Sequence, residues 1–172
     1  MNWLDHLNSL PAAEAQLEFL KCCGSKNWAV WMAGQRPFAG VPELLSKADD
    51  NWRSLATSDW LEAFRSHPKI GEKKAEQAQS ETARAWSEQE QAGTRDSALE
   101  TMQALADGNH KYEKRFGYIF IICATGKTSE EILDKLRERL LNDPASELRN
   151  AAEEQRKITQ LRLNKLAAGT GA

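Results

Sequence analysis

Apolar residues recur along this chain at intervals of three and four, the spacing that gathers one face of an α-helix, and helix caps mark the stretches between. Residues 11–23 carry Leu17, Phe19, Leu20 and Cys23 in this way, and Gly24 closes them. A short helix over 25–33 ends at Gly34. After a loop, Pro42 opens a helix through Ala48. Thr57 or Ser58 then caps a helix whose Trp60, Leu61 and Phe64 face inward and which stops at His67.

Residues 73–85 are polar and only weakly amphipathic, so a loosely held helix is expected there. Ser87 is expected to open a long helix to Ala106, ended by Asp107-Gly108, with a second helix from Asn109 to Phe116 before Gly117. Thr128-Ser129-Glu130-Glu131 spells a capping box for a helix through Leu141, and Asp143-Pro144 opens a final long helix to Leu166. The run Tyr118-Ile119-Phe120-Ile121-Ile122-Cys123-Ala124 fits neither period. Nothing else reads as β, so it is expected to be a buried extended or short helical piece. The pattern predicts an all-α, single-domain compact bundle of about eight helices over 1–166, with 167–172 a flexible tail.

Composition narrows the function classes. At 172 residues and 41% hydrophobic, with six tryptophans, the chain can bury a substantial core. A net charge of -2 with interspersed signs offers no basic stripe for a phosphate backbone, which argues against nucleic acid. Cys22, Cys23 and Cys123 form no CxxC pair, so reduced thiols are expected rather than a disulfide framework or a zinc site. The start lacks a signal-peptide pattern and the longest apolar run is too short for a bilayer, so a cytoplasmic protein is expected.

Candidate chemistry begins with Arg65-Ser66-His67-Pro68-Lys69-Ile70-Gly71. Pro68 disfavours helix at His67, so the imidazole sits where a helix must stop. Punctuation alone would explain that arrangement. Ser87 with Glu90 reads first as a capping box, yet Gly93 inside the same helix points to close approach by another backbone or a ligand. Arg162 falls on a stripe with Ile158 and Leu166, where it either reaches to the rim or holds an anion.

Together, His67-Pro68-Lys69-Ile70-Gly71, Ser87-x-x-Glu90-Gln91-Ala92-Gly93, Asn109-x-x-Tyr112-x-x-Arg115-Phe116-Gly117 and Glu153-Glu154-Gln155-Arg156-Lys157-Ile158 with Arg162-Leu163 resemble the 2-oxo-4-hydroxy-4-carboxy-5-ureidoimidazoline (OHCU) decarboxylase family over essentially the whole chain. The resemblance implies an all-α homodimer without metal or organic cofactor, which converts OHCU to (S)-allantoin in urate degradation. It implies a functional link to urate oxidase and hydroxyisourate hydrolase. It also implies that His67 and Glu90 are catalytic, and that Pro68, Ser87, Ile119, Ile121, Ile122 and Arg162 hold the substrate. Two other readings fit the same residues: a hydrolase of a cyclic ureide using the His67 and Glu90 pair, and a non-catalytic helical binding module.

Overall fold

The computed structural model describes residues 2–72, 80–94 and 98–169. Among these it contains α1 (Trp3–Ser9), α2 (Ala12–Cys22), α3 (Lys26–Gly34), α4 (Val41–Ser54), α5 (Thr57–Arg65), α6 (Glu81–Glu90), a 3-10 turn (Ala92–Thr94), α7 (Leu99–Phe116), α8 (Ser129–Arg139) and α9 (Pro144–Ala167), and no strand. The all-α class is the one the spacing predicts. By contact the chain divides into two compact units, Met1–Ala63 with Arg156–Ala172, and Phe64–Gln155. Residues 73–79 and 170–172, parts of the expected loose helix and of the tail, lie outside the described residues.

In the first unit, α2 buries Ala15, Phe19 and Cys22, and Phe19 meets Trp28 of α3 edge to face at 5.8 Å. Leu17, expected on that face, is 63% exposed because it lies two residues from both Ala15 and Phe19, on the opposite side of the helix. Ser25 is the cap of α3, accepting the Trp28 N–H at 3.2 Å. Trp28 Nε1 donates to the Ala48 carbonyl at 3.2 Å, and Asn51 Nδ2 donates to the Trp28 carbonyl at 3.1 Å. These bonds explain why α4 continues to Ser54 instead of stopping near Ala48: Asn51 and Trp52 prolong its buried face. Burial pushes the Cys22 thiol up and the Cys23 thiol up to about 12, so both stay protonated.

The second unit is built around Ile70, Leu105, Tyr112, Phe120, Ile122, Ile132 and Leu136. Here two of the helices differ from expectation. α7 runs unbroken through Gly108, because a side chain at 108 would strike Leu136 of α8; the glycine is a packing notch and not a stop. Its true end is Gly117, whose φ of 83° supplies the left-handed cap. The helix expected from 87 begins instead at Glu81, with Ser80 accepting the Ala83 N–H at 3.1 Å, and it finishes at Glu90. The capping box at Thr128 and Glu131 is present as read.

Residues 119–124 are buried without regular structure. Buried backbone polar groups need partners, and here side chains supply them. Arg139 Nη1 donates to the Ile121 carbonyl at 2.7 Å, Lys127 Nζ to the Cys123 carbonyl at 2.9 Å, and the Cys123 N–H to Glu154 Oε1 at 3.4 Å. Arg139 is anchored in turn by Glu147, which is fully buried and accepts from Arg139 Nε at 2.7 Å and from the Tyr112 hydroxyl at 2.6 Å. Burial, reinforced by the bond to Glu147, holds the Tyr112 hydroxyl well above its usual value.

Candidate active site

The last turn of α5 is closed by the His67 N–H, which donates to the Phe64 carbonyl at 3.2 Å, and Pro68 prevents the helix from continuing. His67 is therefore held at a helix end yet only 8% exposed. Its Nε2 lies 2.6 Å from Oε1 of Gln155 on α9, a side chain with no exposure at all.

The segment after His67 is fixed from two sides. Gly71, at φ 90°, donates its N–H to Gln91 Oε1 at 2.9 Å, and Asn109 Nδ2 donates to the Ile70 carbonyl at 3.2 Å. Lys69 pairs with Glu113 at 2.9 Å near the surface. Gln91 and Asn109 belong to two of the motif blocks, so their side chains explain physically why those blocks accompany His67-Pro68-Lys69-Ile70-Gly71. Asn109 and Tyr112 are both buried on this helix.

Ser87 and Glu90 do not form a capping box. Ser87 lies inside α6 and donates its hydroxyl to the Ala83 carbonyl at 3.0 Å, while Glu90 is the last residue of that helix and 8% exposed. Glu90 thus stands at the C-terminal, negative end of the helix dipole and not at a helix start. Gly93 behaves as its sequence position suggests: a Cβ there would collide with the Lys127 carbonyl oxygen, so another backbone does approach closely.

Pro68 and Ser87 line one cleft of about 400 Å³, together with Gly71, Gln91, Thr94 and Met102. Ile119, Ile121 and Ile122 are buried, and the Ile122 side chain is part of the core. Arg162 belongs to the first unit, is 2% exposed, and has Nη1 3.5 Å from the Lys21 carbonyl. It does not reach out to the rim. Among the described residues no cluster of His, Cys, Asp and Glu is arranged to hold a metal ion, and no helix is long and apolar enough to cross a membrane.

Fold and site define an all-α protein with a buried imidazole–amide pair and, from the next residue Pro68, a small cleft that the buried Ser87 also lines, a setting suited to acid–base chemistry on a small polar molecule. The family model for OHCU decarboxylase matches residues 8–164, and the chain belongs to that family. It is 38% identical over 137 residues to the OHCU decarboxylase of Amia calva, covering 78% of this chain and 75% of that protein. The uric acid degradation bifunctional protein TTL of Arabidopsis thaliana is 39% identical over 149 residues; the match covers 87% of this chain but 46% of that longer protein. A crystal structure of an OHCU decarboxylase in the presence of (S)-allantoin superposes with a TM-score of 0.73 at 41% identity, covering 88% of this chain and 97% of that one. An (S)-allantoin synthase structure, at 17% identity and a TM-score of 0.71 over 95% of this chain and 53% of that one, shares the fold.

Proposed function

We propose that this protein decarboxylates OHCU to (S)-allantoin in urate degradation. The observation that carries the reading is the convergence of two motif blocks, through Pro68 and Ser87, on one cleft in a chain of this family. The chemistry needs little beyond positioned side chains. In the substrate the carboxylate lies β to a ring C=N bond. As the C–C bond breaks and carbon dioxide leaves, the electron pair moves into the ring and its nitrogen takes a proton. The resulting enol gives up its hydroxyl proton to become the carbonyl, and the ureido-bearing carbon gains a proton on one face. The balance is one carboxylate and one proton in, one allantoin and one carbon dioxide out.

The substrate's own C=N bond serves as the electron sink, so the protein must orient, stabilise charge and deliver the proton stereospecifically. In this reading His67 is the acid and base, and Glu90 accepts substrate N–H groups. Ser87, Pro68 and the 119–122 backbone line the ligand, and Arg162 holds a carboxylate or ureido oxygen by its planar fork. Action as a cytoplasmic homodimer belongs to the same proposal. It is favoured by exposed Leu17, Val30 and Trp31 on the first unit and checked by sedimentation.

The test is to generate the unstable intermediate from urate with urate oxidase and hydroxyisourate hydrolase, add the protein, and follow circular dichroism with carbon dioxide release. A single allantoin enantiomer should form faster than without protein. No gain over the spontaneous rate overturns the reading, and consumption without carbon dioxide assigns the cleft to ureide hydrolysis.

A further inference from the structure

The bond between His67 Nε2 and Gln155 Oε1 has a consequence for which imidazole nitrogen handles the proton. At 2.6 Å the two atoms are in firm hydrogen-bonding contact, and both side chains are buried. An amide oxygen only accepts, so the proton in this bond belongs to Nε2. That holds for the neutral ring in its Nε2–H tautomer and equally for the imidazolium, where both nitrogens carry protons. Nε2 therefore keeps its proton through either state, and the proton gained and lost is the one on Nδ1.

The fold supports such a role. Gln155 sits on α9 within the same compact unit as His67, one turn ahead of Ile158 on the buried face of that helix, and it is enclosed where a solvated amide would turn freely. The His67 end of the contact is held by the 64-to-67 backbone bond, by Pro68, and by the Gln91 and Asn109 clamps on the residues that follow. Neither partner can drift far from the other.

We propose that Gln155 is a positioning residue that fixes the tautomer of His67, so that Nδ1 is the nitrogen exchanging a proton with the substrate. The proposal rests on the decarboxylase reading for its kinetic half alone. During the reaction Nδ1–H gives its proton to the ureido-bearing carbon, and Nδ1 regains one from the enol hydroxyl, while the Nε2–H···O bond to Gln155 stays intact throughout.

The direct test is the long-range ¹H–¹⁵N correlation spectrum of the histidine rings in the full-length native protein, recorded where His67 is neutral. Its signals are identified by their loss in His67→Asn. The expected result is a pyrrole-like Nε2 and a pyridine-like Nδ1; the opposite pattern overturns the proposal. Kinetics supply the second arm. Gln155→Leu, which keeps bulk and removes the acceptor, should mix the tautomers and lower kcat roughly 100-fold while KM changes little. Gln155→Glu, whose carboxylate can accept the same bond, should restore the Nε2–H signature and recover part of that loss. Wild-type kcat in Gln155→Leu overturns the proposal. Because the tautomer is read without substrate, an Nε2–H ring in a protein that does not hasten carbon dioxide release supports the geometry and overturns the functional reading instead.

Discussion

The second unit buries two polar groups of very different character. Around Glu147, the carboxylate is met by Arg139, the Tyr112 hydroxyl and Asn142 Nδ2 at 3.0 Å, and Arg139 passes the connection on to the Ile121 carbonyl. Charge meets opposite charge and no part of the Glu147 side chain faces water. Around His67, the imidazole meets the neutral amide of Gln155, the neighbouring Pro68 and Ser87 lie against a cleft, and His67 and Ser87 keep a slight exposure that Glu147 lacks. One group is closed upon itself and shapes the chain; the other adjoins, through Pro68, the residues that line a cleft. Burial of a polar residue is thus no indicator of function until one asks where its remaining valences point.

The largest effect expected from breaking this contrast is on the open side. His67→Asn should lower kcat by about 10² to 10⁴, the usual contribution of a general acid–base group, while circular dichroism and the melting temperature stay near wild type. Unchanged turnover would remove His67 from the chemistry. On the closed side, Arg139→Met should leave the Glu147 carboxylate buried without its cation and cost about 3–5 kcal/mol in urea unfolding. A loss below about 1 kcal/mol would show that the pair is replaceable by packing.

The closed group also carries a pH signature. The Tyr112 hydroxyl is raised in the folded state from its ordinary value of 10.0, so its contribution is complete below pH 10 and declines as the pH climbs above that value. Alkaline unfolding should be weakened in Tyr112→Phe, measured as the slope of stability against pH above 10. A smaller effect is expected at the seam between the cleft wall and the 124–128 turn. Gly93→Ala must displace the Lys127 carbonyl or the 3-10 turn and should cost about 1–3 kcal/mol, with kcat falling alongside stability. The smallest belongs to Lys69→Ala. The Lys69 to Glu113 pair is more than a third exposed, and its loss should change stability by less than about 1 kcal/mol.

Much of this architecture was legible because local chemistry and tertiary structure agree. Thr128 with Glu131, Gly117, and Pro68 after His67 each act through neighbours in sequence, and each does in the structure what its type dictates. Misreadings arose where a distant residue decided the outcome. Gly108 looks like a stop until Leu136 is seen packed against it, and Ser87 looks like a cap until Ser80 is found capping the same helix a turn and more earlier. Gln155 stands inside one of the motif blocks, whose spacing alone assigns it no role. The buried stripe of Ile158, Arg162 and Leu166 extends back through it, and an amide on an apolar stripe was the available signal.

The segment from 119 to 124 has a bearing on how this protein fails as well as how it works. An apolar, β-branched run of this kind is the sort of sequence that recruits identical strands when its backbone is bare. Here the side chains of Arg139, Lys127 and Glu154 bond its backbone in place of neighbouring strands, so its protection depends in part on Arg139 and Glu154, well beyond it in the chain. Substitutions that strip those side chains uncover a ready template for intermolecular pairing, and solubility becomes a property written into Lys127, α8 and α9.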